Sequence, residues 1–151
     1  MKLAEALQER ADLNKKIAQL GSRLQNNALV QEGEKPAENP ESLLKELDDA
    51  VNRLKYIVAR INISNSEVKV EGKSLTELIA EKDCLVQQAS ILRNLVDCAS
   101  RTATRASRSE IKILSAVKVK DIQTKIDEYS KQIRMLNNLL QQTNWSVDLI
   151  E

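Results

Sequence analysis

The chain has 151 residues, 30% of them charged, with a net charge of +1. That is length enough for one domain with its own core, and it creates no global field toward nucleic acid or anionic lipid. Histidine is absent, which removes the commonest general base and metal ligand and every Ser-His or Cys-His nucleophilic pair, while Gly21, Gly33 and Gly72 are too scattered for a phosphate-cradling loop.

Four stretches carry apolar residues alternately three and four positions apart. The first predicts a helix over 2–25, with Leu3, Ala6, Arg10, Leu13, Ile17, Leu20 and Leu24 on one seam. A connection over 26–39, rich in Glu, Gln, Asn and Pro, follows. It lacks the spacing of a calcium loop and reads as a flexible acidic segment. Asn39 then caps a second helix, with Pro40 at its first position. That helix is predicted over 40–61, its seam Leu44, Leu47, Val51, Leu54, Val58 and Ile61.

Period-two alternation over 61–64 and 67–70, around Asn65-Ser66, predicts a short hairpin. Ser74 and Glu77 form a capping box for a third helix over 74–100. Its seam is Leu75, Leu78, Lys82, Leu85, Ala89, Leu92, Val96 and Ala99. Alternation over 110–114 predicts a third strand, which would complete a small sheet at one end. The fourth helix is predicted over 119–143 with Val119, Ile122, Ile126, Tyr129, Ile133, Leu136 and Leu140 on its seam. In the tail, Trp145, Val147 and Leu149 are spaced to lie along the helices. A strict heptad stripe can be buried only against another helix. The expected fold is therefore mainly α: a single-domain antiparallel four-helix bundle with coiled-coil-like seams and a small β element at one end.

Cys84 and Cys98 lie fourteen residues apart on the third helix, about 21 Å at 1.5 Å per residue, beyond disulfide reach. Without histidine they make no zinc site. They read as free thiols of a reducing compartment, half-buried beside the seam, in a cytoplasmic protein. No stretch approaches the length of a membrane-spanning helix.

The candidate functional residues are few. Arg10 and Lys82 stand at seam positions, where each must snorkel, pair or fix the register between helices. Arg101, Arg105 and Arg108 are spaced four and three apart, and guanidinium groups suit bidentate phosphate or carboxylate binding. Charge is also unevenly placed along the chain. From Gln25 to Ala50 there are two basic and seven acidic residues, a net of −5; from Arg101 to Lys120 there are six basic and one acidic, a net of +5. Three aromatics, Tyr56, Tyr129 and Trp145, give no platform for stacking single-stranded nucleic acid.

At Gln31-Glu32-Gly33-Glu34, Pro36-Ala37-Glu38, Pro40, Arg60-Ile61-Asn62, Asn65, Arg108-Ser109-Glu110-Ile111 and Asn144-Trp145 the chain resembles a family of small bacterial helical proteins, some labelled septicolysin-like. The resemblance spans nearly the whole length. It implies a membrane-active, cytolysin-like protein and brings no catalytic residue with it.

The residues themselves point to a protein that is not an enzyme, needs no cofactor or metal, and acts by protein–protein association as a homo-oligomer. The flanking residues Leu7, Leu43, Ile57, Val86, Leu95 and Leu139 would leave a second apolar edge for neighbours. Binding of a polyanion or nucleic acid at Arg101, Arg105 and Arg108 is the first alternative, and membrane activity the second.

Overall fold

The computed structural model describes residues 1–101 and 111–151. The protein is mainly α, with four long helices and one two-stranded hairpin, in the order α1 (Leu3–Asn26), α2 (Pro40–Glu67), β1 (Lys69–Val70), β2 (Lys73–Ser74), α3 (Leu75–Ala99) and α4 (Val119–Ser146). Two compact units divide the chain. One contains 1–69 and 142–151, the other 70–141.

The caps read from the sequence are formed. The Asn39 side chain accepts from the Glu41 N–H at 2.9 Å, with Pro40 opening α2. At α3 the Ser74 hydroxyl accepts from the Glu77 N–H at 3.2 Å, and the Glu77 carboxylate accepts from the Ser74 N–H at 2.7 Å. Each cap satisfies donors that the first helical turn would otherwise leave open.

The strands differ from expectation. Residues 61–64 are helical, because α2 continues to Glu67. Ile61 and Ser64 are three apart and both buried, so the short alternation of 61–64 coincides with a helical face. The hairpin lies further on, around Glu71 and Gly72, whose φ values of 52° and 84° are both positive. A two-residue turn with both φ positive matches the twist of the strands it joins, and glycine adopts it without a Cβ clash. The expected strand over 110–114 is not formed among its described residues: 111–114 carries no regular structure, and Glu110 lies outside the described residues.

In the first unit α1 and α2 form an antiparallel pair. The α1 seam is as read, but α2 turns a different stripe toward it. Leu43, Ala50, Ile57 and Ser64 are buried together with Ile61, and Leu47 and Leu54 are half-buried. Leu44 and Val51, placed in the seam by the sequence, are exposed. The apolar triplets of α2 allow either stripe, and the charges beside the seam decide between them. Arg53 binds Glu9 through two hydrogen bonds, 2.6 and 2.9 Å. Lys16 pairs with Glu46 at 2.9 Å. The Arg23 Nε donates to both carboxylate oxygens of Glu38 at 3.1 Å.

Glu9, Lys16 and Arg23 are successive g positions of α1, and Glu46 and Arg53 are g positions of α2. Contact between like positions marks an antiparallel pair, and setting Glu9 opposite Arg53 and Lys16 opposite Glu46 favours one register. A core cluster of Leu20, Leu43 and Ala50 with Leu13, Ile17, Leu24 and Leu47 closes the contact, each fully buried leucine contributing about 1.5–3 kcal/mol.

At the other end of this unit the tail clamps the chain. The Leu149 N–H donates to the Met1 carbonyl at 2.8 Å, and the Leu3 N–H to the Val147 carbonyl at 3.1 Å. The fully buried Ser64 hydroxyl accepts from the Ile150 N–H at 2.9 Å. Leu149 is buried and Val147 half-buried, but Trp145 is exposed in the last turn of α4.

Candidate interaction surfaces

The residues singled out by the sequence do not converge. Arg10 is exposed despite its seam position. Lys82 keeps 26% of its side chain exposed and pairs at 3.3 Å with Asp83 of its own helix, so its stem covers the α3 seam while its head reaches a carboxylate beside water. Arg101 is exposed just past the end of α3. Arg105 and Arg108 lie outside the described residues. Among the described residues no three His, Cys, Asp or Glu side chains come together as a metal site, and no helix is long and apolar enough to cross a membrane.

The ion pairs of the first unit set its titration behaviour. Hydrogen bonds from Arg53 hold the Glu9 carboxyl below its ordinary value, and Arg23 does the same to Glu38. The Lys2 ammonium, 3.0 Å from Asp148, lowers that carboxyl as well. In the second unit Glu81 raises Lys73. These groups hold elements together at the surface.

Three surfaces stand out instead. The first is an edge of the α3/α4 pair. The α3 seam of Leu75, Leu78, Leu85, Ala89, Leu92 and Val96 is buried or half-buried, and so is the α4 seam. Arg93 donates to the Ser130 hydroxyl at 3.1 Å; both are e positions, as an antiparallel pair requires. The opposite, g-side edge is apolar along α3, where Ile91 is 59% exposed and Leu95 and both cysteines are also exposed. On α4 the same edge carries Met135, 62% exposed, together with the exposed Lys125 and Glu128. The half-burial expected for Cys84 and Cys98 is thus not found. They fall at c positions, a step further round the helix than the seam flank. From Cys84 to Val96 only Arg93 is charged, although nearly a third of the chain is.

The second surface is the connection between α1 and α2. Its ends are fastened: the Asn27 side chain accepts from the Glu38 N–H at 2.9 Å and donates to the Arg23 carbonyl at 2.8 Å. A loop whose ends are held this closely projects as a compact tip. Gly33, with φ 84°, turns it, and Leu29 is 90% exposed beside Val30, Glu32 and Glu34. The third surface is the segment leading into α4, where Ile111 and Leu114 are 77% and 79% exposed among Lys112, Lys118 and Lys120. The sequence assigns Ile111 and Ile113 to a strand and Leu29 and Val30 to a flexible acidic connection, and marks neither set as exposed apolar surface. A run of Leu-Val or Ile-Lys-Ile-Leu outside a helix reads as core or strand until its burial is known.

These features define a mainly α protein of paired heptad helices whose prominent surfaces are apolar edges and charged loop tips. Residues 10–149 match the model of a family of unknown function, DUF6847, and the chain belongs to that family. Among curated proteins none matches. A functionally unknown conserved protein from Corynebacterium diphtheriae, known from its crystal structure, is similar at 35% identity. The likeness covers 99% of each chain, with a TM-score of 0.90.

Proposed function

We propose that the protein is a non-enzymatic association module that self-assembles through the g-side edge of α3 and α4. The observation that carries this reading is the charge-poor run Cys84–Val96, exposed at Cys84, Ile91 and Leu95. Depletion of charge with retained apolar area is the composition of an interface centre. The neutral strip along α3 also suits a second copy of itself, because a two-fold contact centred on it opposes like with like and places no like charges together there.

Light scattering at micromolar concentration tests it. The wild type is expected well above the monomer mass of 17.0 kDa. Ile91→Glu with Leu95→Glu is expected to lower the mass while helicity stays unchanged. A wild type that is monomeric at every concentration overturns the proposal and leaves these residues as solvated surface.

A second reading, polyanion binding, is favoured by the exposed Arg101, Lys112, Lys118 and Lys120. Retention on heparin that is lost when Arg101, Arg105 and Arg108 become Gln would support it. The septicolysin-like resemblance supports a membrane-active reading, for which leakage of lipid vesicles is the test. Under the leading reading neither effect occurs.

A further inference from the structure

We propose that the two loop tips are complementary halves of a head-to-tail contact, the acidic tip around Glu32 and Glu34 of one molecule docking on the basic tip around Lys112, Lys118 and Lys120 of a second copy. This surface is separate from the α3/α4 edge. It rests on charge complementarity combined with exposed apolar area.

The segment from Gln25 to Ala50 carries a net of −5 and that from Arg101 to Lys120 a net of +5, in a chain whose total is +1. Of the seven acidic residues only Glu32 and Glu34 lie at the tip, beside Lys35. Glu38 and Glu46 are engaged by Arg23 and Lys16, whereas Glu32 and Glu34 make no ion pair among the described residues and stand exposed. On the basic side Lys112, Lys118 and Lys120 likewise make no ion pair among the described residues, and 111–120 contains no acidic residue.

Each tip also presents large apolar side chains to water, Leu29 and Val30 on one, Ile111, Ile113 and Leu114 on the other. Neither folding nor solubility calls for isoleucine and leucine at such positions. An apolar centre ringed by charge is the anatomy of a docking patch, and charges of one sign specify a partner of the other. Two acidic tips repel and so do two basic ones, so the favoured pairing between copies is acidic to basic. Such a contact is heterologous: it closes into a ring or continues as a chain.

Salt separates this contact from the α3/α4 edge. Raising ionic strength from about 0.05 to 0.5 M shortens the Debye length severalfold and weakens exposed charge pairing, while apolar contact is left in place. The association constant for the tips is expected to fall about tenfold or more over that range.

The decisive experiment uses two full-length variants, both in the Ile91→Glu, Leu95→Glu background so that the edge is silent. One carries Glu32→Lys with Glu34→Lys, the other Lys112→Glu with Lys118→Glu. Before these changes the background chain is expected to associate at low salt. Each variant alone is expected to be monomeric there, and an equimolar mixture to associate again, because one brings two basic tips and the other two acidic ones. Circular dichroism verifies that both stay helical; Gln at the same positions replaces any variant that does not, with loss of association as its readout. The proposal is overturned if the background chain is monomeric at low salt, if the variants associate as well as their parent, or if mixing restores nothing. Binding of the basic tip to vesicles of anionic lipid without self-association also overturns it.

Discussion

Leu43 and Leu44 are neighbours of one residue type in the same turn of α2, and truncating each to alanine asks which stripe faces α1. The change in helix propensity is the same at both sites, so a difference between them reports packing alone. Leu43 is 3% exposed and touches the cluster of Leu20 and Ala50, whereas Leu44 is 50% exposed. For Leu43→Ala the lost transfer energy and the cavity left among α1 side chains together cost about 2–5 kcal/mol. For Leu44→Ala about half the side chain was already in water and no cavity forms, so the cost is about 1 kcal/mol.

In a chain of this size 1 kcal/mol moves Tm by about 2–4 °C. The expected shifts are therefore about 5–15 °C for Leu43→Ala and a few degrees for Leu44→Ala. Thermal and urea unfolding followed by circular dichroism, at concentrations below self-association, measures both. Equal shifts, or a larger one for Leu44→Ala, would refute the packing described for α2.

Other expectations follow from named contacts. Because Arg53 depresses the Glu9 carboxyl, its stabilisation is present above the unfolded value of 4.5 and is lost as pH falls through the lower folded value. Wild type is thus expected to exceed Glu9→Gln in stability near neutrality, the gap vanishing in acid; a gap independent of pH would contradict this. Ser64→Ala leaves the Ile150 N–H without its acceptor and is expected to cost about 1–3 kcal/mol, with faster proteolysis of the tail as an independent readout. Lys82→Leu is expected to be neutral or stabilising, since among the described residues the ammonium pairs with Asp83 alone, beside it on the same helix. A loss above about 3 kcal/mol would instead indicate a broken buried pair.

Much of the architecture was legible because heptad spacing, Asn39-Pro40 and the Ser74–Glu77 box act locally, and each survives whatever the rest of the chain does. What failed was the choice between alternatives that look equal in one dimension. The triplets Leu43-Leu44-Leu47 and Ala50-Val51-Leu54 fit two stripes equally well. The deciding signal was present in Glu9, Lys16 and Arg23, spaced by seven, and in Glu46 and Arg53. Its meaning depends on which helix is the neighbour and in which direction it runs, and neither is visible along one helix. The same limit explains 61–64, where four alternating residues cannot outweigh the continuation of a helix whose next seam position is Ser64.

The candidate surfaces were less legible for a different reason. The charge-poor edge of α3 is written at c and g positions, where Cys84, Gln88, Ile91, Leu95 and Cys98 repeat the four–three spacing of the seam beside it. A helix with one such stripe needs one partner, and α4 supplies it through the a and d positions. A helix with two adjacent stripes has an apolar face wider than a single antiparallel neighbour can cover. Evolution of a merely soluble helix pair would place lysine or glutamate at those positions, as α1 does with Glu9 and Lys16. The absence of charge over Cys84–Val96, apart from Arg93 on the other edge, is therefore the feature on which the proposed self-association rests. The loop tips carry the opposite signature, charge in excess with apolar residues at its centre. Under the two proposals, the first contact tolerates salt and the second is dissolved by it.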